Sequence, residues 1–207
     1  MTETKKQKVR LIYKIGGFLA FLLLGYLGIR SYKLSVEKLK TNNCVNEIAE
    51  LVGNIQEAYR NERSYDGLDY ARAQSLKLIP KTMFRQGFRE AVNGYMGGVD
   101  MFYSSLHEEG DNKAFEISFQ GVSSMGCIAL MRMQWDGGQN VSFIAVAGYP
   151  SPMPSGVLDQ ITADTPQDEI KDRRVFRSSA VRFASDLQIE NACACEDETC
   201  SVVWKFF

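Results

Sequence analysis

The stretch IGGFLAFLLLGYLGI (Ile15–Ile29), followed by the charged RSYKLSVEKLK (Arg30–Lys40) and then by TNNCVNEIAELVGNIQEAY (Thr41–Tyr59), decides the fold. The first segment is almost unbroken apolar sequence. In the third, Val45, Ile48, Val52, Ile55 and Tyr59 recur in steps of three and four, which puts one apolar stripe down one side of a helix. No proline occurs before Pro80, so one helix can run through the whole stretch. At 1.5 Å rise per residue it would span roughly 65 Å. One end suits a bilayer, and the other suits a seat across a soluble domain.

The flanks fit an anchor. Lys5, Lys6, Lys8, Arg10 and Lys14 precede the apolar run, which favours a cytoplasmic N-terminus, while Arg30, Lys33, Lys38 and Lys40 follow it. The run is shorter than the roughly 20 residues of a full span. Leu11, Ile12 and Tyr13, with Lys14 snorkelling, bring it close. A cleaved secretory signal is the rival, but no small-x-small site follows; Gly28-Ile29-Arg30 is a poor substitute. The expected divisions are 1–17, a basic cytoplasmic segment; 18–40, a transmembrane stalk and neck; and 41–207, a globular head large enough for its own core.

Composition excludes several function classes. The net charge of −1 gives no case for nucleic acid as a partner. The one histidine, His107, lies in the polar context His107-Glu108-Glu109-Gly110 and reads as a solvated loop residue. No nucleophile–base pair, glycine-rich phosphate loop or credible metal set is present, so neither an enzyme nor a cofactor is expected. The five cysteines are Cys44, Cys127, Cys193, Cys195 and Cys200. In a head outside the cytoplasm, disulfides are the default. A zinc site from Cys193, Cys195 and Cys200 lacks the usual C-x2-C knuckle and a nearby histidine. A redox-active pair lacks C-x-x-C.

Along the head, Tyr65-Asp66-Gly67-Leu68 is a turn, and Asp69–Leu78 a short helix stopped by Pro80. Lys81–Ala91 holds another helical turn. Asn93-Gly94-Tyr95-Met96-Gly97-Gly98 is a loop whose glycines permit positive φ. Val99–Leu106 reads as a strand and Glu108–Asn112 as a polar turn. Ala114–Gln120 is the clearest strand, Phe115 and Ile117 alternating with Glu116 and Ser118. Ser123 and Ser124 can cap a helix to about Gln134, with Cys127, Leu130 and Met131 on its inner face. Met125, Met131 and Met133 read as core filler. Val141–Ala147 is a third strand and Gly148–Pro154 a proline-rich loop. Leu158–Asp172 is acidic and poorly periodic, and Arg173, Arg174 and Arg177 make a solvated basic spot. Val181–Ile189 is ambiguous between strand and helix, and Ser201–Phe207 is a terminal strand set inside a sheet. A long helix with strands able to pair antiparallel and helices between them is an α+β head.

Several of these features in this order resemble the type IVb pilins, with the toxin-coregulated pilin and the PilS-like pilins of conjugative systems as nearest kin. The features are Asn112-Lys113-Ala114-Phe115-Glu116-Ile117-Ser118 with Gly121 and Cys127 after it, and Tyr59 ahead of Ser64-Tyr65-Asp66-Gly67-Leu68. The loop Asn93–Gly98 and the late Asn191-Ala192-Cys193 agree. The likeness is good over about 44–150 and looser in the tail. It implies a pilin fold: a long N-terminal helix half buried against an antiparallel sheet. It implies a disulfide between Cys127 and a C-terminal cysteine, Cys193 by position, with Cys195 and Cys200 as alternatives. On the first pairing, Cys195 and Cys200 close a small loop around Glu196-Asp197-Glu198 and Cys44 stays a buried or neck thiol.

The resemblance also implies processing by a prepilin peptidase between Gly17 and Phe18, after the basic leader. It implies an inner-membrane anchor with the head in the periplasm, and partners that are other pilin subunits held through the N-terminal helix. One departure stands out. The family carries a glutamate at the fifth mature position, and this chain has Leu22 there. Packing of the stalk then rests on close approach at Gly25 and Gly28. The expected function is a structural subunit, minor or initiating more than self-polymerising, of a type IVb pilus or a related secretion or conjugation apparatus. An uncleaved single-pass protein with a pilin-like, partner-binding head is the alternative.

Overall fold

The computed structural model describes residues 3–104, 114–133, 144–150, 169–172, 174–178, 186–195 and 199–206, with single positions at 158, 161 and 166. The chain divides into two compact units, Met1–Leu39 and Lys40–Phe207. One helix, α1 (Glu3–Ala58), supplies the described part of the first unit and opens the second. It ends where Tyr59 and Glu62 close turns onto Ile55 and Tyr59.

Within the second unit, α2 (Tyr70–Ser75) starts at Asp69, whose carboxylate caps the Arg72 amide. It is shorter than Asp69–Leu78, because Lys77 turns to a positive φ of 58°. A 3-10 turn covers Lys81–Met83. Strands β1 (Val99–Ser104) and β2 (Ala114–Ser123) pair antiparallel. Helix α3 (Ser124–Met131) is capped by Ser123 and buries Cys127, Leu130 and Met131. Strand β3 (Ile144–Pro150), β4 (Val175–Ser178), α4 (Asp186–Ala192) and β5 (Thr199–Phe206) complete the head. Among the described residues the sheet has five strands, in order β1-β2-β5-β3-β4, and every pairing is antiparallel. This is the α+β architecture of a long helix and an antiparallel sheet.

One face of the sheet shares a core with α1. Phe115, Ile117, Phe119, Val202, Trp204 and Phe206 join Cys44, Ile48, Leu51, Val52 and Ile55 in it. The seam of α1 is therefore turned slightly from the stripe read in sequence. Cys44 and Leu51 are fully buried, whereas Val45 and Tyr59 are half-buried at its edges. Aromatic rings carry the contact along: Tyr59 meets Tyr65 at 5.3 Å, Tyr65 meets Phe115 at 4.6 Å, and Phe115 stacks on Phe206 at 5.0 Å.

The opposite face is covered too. Tyr149, Leu158, Ile161, Val175 and Val203 form a second cluster. Glu116 and Ser118, read from alternation as outward residues, are consequently buried with Ser201 and Lys205. A strand buried on both faces loses the polar–apolar contrast with solvent that alternation normally reports.

Several local expectations are corrected. Gly148, Tyr149 and Pro150 belong to β3, paired with Val202, Ser201 and Cys200, rather than to a loop. Pro150 stands at the strand's last position, where a missing amide is tolerated. Gly148 is required by packing: a Cβ there would lie 2.8 Å from Met131 Sδ and 3.0 Å from Cys127 Sγ. Arg174 borders β4 and Arg177 lies within it. The ambiguous Val181–Ile189 stretch is helical from Asp186, and Met125 is exposed rather than core filler. In Asn93–Gly98 only Met96 has a positive φ, 65°. The glycines serve close approach instead, a Cβ on Gly97 falling 1.7 Å from the Gln120 carbonyl oxygen. His107 and the Glu108–Asn112 turn lie outside the described residues.

Candidate functional site: the first helix and the neck of the head

The first unit is described by itself. Gly17 and Phe18, Leu22, Gly25 and Gly28 all lie within α1. Phe18 is 63% exposed and Leu22 50%, and Phe21, Leu24, Tyr26 and Ile29 are all more open than Leu22. A Cβ at Gly17, Gly25 or Gly28 would meet nothing within 4 Å, so these positions can admit another backbone. Length and hydropathy qualify the helix to cross a membrane, and none of its most apolar window is buried in the protein.

In the second unit, the C-terminal cysteines gather at one end of the sheet. Cys127 of α3 is joined to Cys193 at the end of α4, and Cys195 to Cys200 of β5. Met131 Sδ packs 3.4 Å from Cys193 Sγ and 3.9 Å from Cys127 Sγ. Cys44 is a free, buried thiol.

The neck is held by the Asn93–Gly98 loop. Asn93 accepts the Tyr95 amide at 2.8 Å and donates to the Gln120 carbonyl at 2.7 Å, fixing the loop on β2. Tyr95 shares a hydrogen bond of 2.7 Å with Thr41 of α1 and lies under the Lys40 ammonium, 5.5 Å from the ring centroid. Gly126 leaves room for the Tyr95 phenol, since a Cβ there would sit 2.3 Å from its oxygen.

Beside this loop Glu47 is buried to 3% exposure on α1, and its Oε1 accepts from Arg85 Nη2 at 2.8 Å. Burial pushes the Glu47 carboxyl up. Arg85, by hydrogen bond and charge, and the Gly94 amide pull it back. Burial, and after it the nearby Glu47, raise the Cys44 thiol from 9.0 to about 12. A cleft of about 420 Å³ opens here, lined by Asn43, Asn46, Glu47, Glu50, Thr82 and Arg85. Sequence reading does not single these residues out. The signal was present: Glu47 falls between Cys44 and Leu51 at helical spacing, so a carboxylate sits inside an apolar seam and calls for a cation. Among the described residues no group of acidic, cysteine or histidine side chains could hold a metal ion.

The family described as PilS N terminal matches residues 38–204. In fold the chain is similar to the solved structure of TcpA, a type IV pilin from Vibrio cholerae El Tor biotype. The TM-score is 0.52 at 15% identity, over 80% of this chain and 98% of that one. Among curated proteins, none matches the sequence.

Proposed function

Because this chain belongs to the PilS N-terminal family, we propose that it is a structural subunit of a type IVb pilus or of a related secretion or conjugation apparatus. Its work is done by packing rather than by catalysis. The observation that carries this reading is the contrast along α1. Phe18 through Ile29 present bare leucine, phenylalanine and tyrosine surface, whereas Cys44, Ile48, Leu51, Val52 and Ile55 are sealed in the head. Bare apolar helix is stable only in lipid or against other such helices. The first part of α1 would hold the chain in the inner membrane, head in the periplasm, until the same surface is handed to neighbouring subunits.

Gly17 and Phe18 are the cleavage site for a prepilin peptidase on this reading. Two adjacent glycines, Gly16 and Gly17, weaken the helix at that point by about 1 kcal/mol each relative to alanine, which eases opening of the peptide for cleavage. N-terminal sequencing of the mature protein tests it: a chain beginning at Phe18 is the expected result. An intact Met1 start would favour the second reading, an uncleaved single-pass protein whose pilin-like head binds a partner. Leu22 is the observation on that side, since it removes the carboxylate the family uses there.

A further inference from the structure

Beside the buried Glu47–Arg85 ion pair lies the cleft described above. Four of its residues, Asn43, Asn46, Glu47 and Glu50, fall at steps of three and four on α1, so they share one face of the helix. Thr82 and Arg85 form the other wall. Two carboxylates and one guanidinium line the cleft; Arg85 Nη2 donates to Glu47 Oε1, and the buried Arg85 Nε has no hydrogen-bond partner. Glu47 Oε2 is buried with no hydrogen-bond partner. A buried carboxylate oxygen without a donor is costly, and an arriving donor recovers that loss.

We infer that this cleft is a socket for the ammonium group of Lys33 or Lys38 from a second copy of this chain. The inference rests on the pilin reading above. If subunits pack through α1, the segment that runs alongside residues 43–50 of one copy is the α1 of another. On α1 after the apolar run, the basic residues are Arg30, Lys33, Lys38 and Lys40. Arg30 adjoins the apolar segment, and Lys40 is engaged over the Tyr95 ring. Lys33 and Lys38 are exposed. A lysine ammonium has three donors, which match Glu47 Oε2, the Glu50 carboxylate and an Asn43 or Asn46 side-chain carbonyl. The cleft's volume of about 420 Å³ is ample for one lysine side chain.

The test uses the full chain in native membranes, as an equal mixture of ordinary and nitrogen-15-labelled protein. A carbodiimide joins a lysine amine to a carboxylate only where the two touch. The expected product is an isopeptide between Glu50 and Lys33 or Lys38 that carries one label of each kind. Glu50→Lys should lower the multimer yield about tenfold or more, through like-charge repulsion in the socket. Adding Lys33→Glu or Lys38→Glu should restore it. Unchanged thermal melting of Glu50→Lys separates this loss from misfolding. Multimers of the unmodified chain without a link at Glu50, or Glu50→Lys multimers within about twofold of it, overturn the socket and leave the pilin reading standing. A chain that forms no multimer at all also overturns the socket, while the pilin reading stands or falls on a mature chain beginning at Phe18.

Discussion

Lys205 on β5 stands opposite Glu116 on β2, its Nζ 3.9 Å from Glu116 Oε1, with both side chains withdrawn from solvent. The ammonium also donates to the Leu158 carbonyl at 2.8 Å. A charge pair so deeply placed is costly to split. Lys205→Met alone should destabilise the head by about 3 to 5 kcal/mol, because it strands a buried carboxylate. Adding Glu116→Leu should return most of that loss. Denaturant unfolding of the two single variants and the double variant gives the coupling; strictly additive effects would show that the two charges do not depend on each other.

Ile48 and Ile55 have no solvent exposure in the α1 seam. Ile48→Asp or Ile55→Asp places an unpaired charge there and should cost several kcal/mol. Asp at Val45, half-buried at the seam's edge, should cost markedly less. Equal melting temperatures for all three variants in detergent would contradict the seam.

Cys44 supplies a pH test. Its thiol is raised from 9.0 to about 12 in the folded chain, chiefly by burial. The folded state therefore holds its proton more tightly than the unfolded state. The contribution to stability is fully present below pH 9 and is lost as pH rises from 9 towards 12. Cys44→Ala should flatten that part of the stability curve. Native Cys44 should also resist alkylation at pH 8 and react once the head is denatured.

Leu22→Glu tests the stalk. With Phe18 as the mature N-terminus, the added carboxylate can pair with a neighbour's terminal amine, and incorporation into filaments should rise. In an uncleaved span the same change should instead weaken membrane retention, since a lone carboxylate near the bilayer centre costs a few kcal/mol on insertion scales. Filament pull-down and membrane fractionation of this one variant tell the two apart.

The long helix was legible because its two signals, a solid apolar run and a 3.6-residue stripe, are local and strong. Strand β2 and the capped start of α3 were legible for the same reason: Ala114–Gln120 alternates, and Ser123 precedes an apolar stretch. Strand β4 was not, because four residues, Val175–Ser178, are too few to show a period and carry an arginine. The glycines of Asn93–Gly98 suggest a flexible turn, yet what they answer to is the backbone of Gln120 and Lys40, which no local pattern can announce. The Glu47–Arg85 pair was hidden likewise, since its cation lies 38 residues away.

The strand order has a consequence for timing. Strand β5 lies in the centre of the sheet, between β2 and β3, yet it follows every other described element in the chain. If the chain crosses a membrane from its anchored helix onward, the β1–β2 and β3–β4 pairs emerge first and each waits with an open edge. The sheet can close only when Thr199–Phe206 arrives, so closure depends on contacts far apart in sequence and is intrinsically slow. During that interval each exposed strand edge is open to wrong pairing with another chain. A chaperone active outside the membrane would be most valuable to this protein in that waiting period, before its last strand has been delivered.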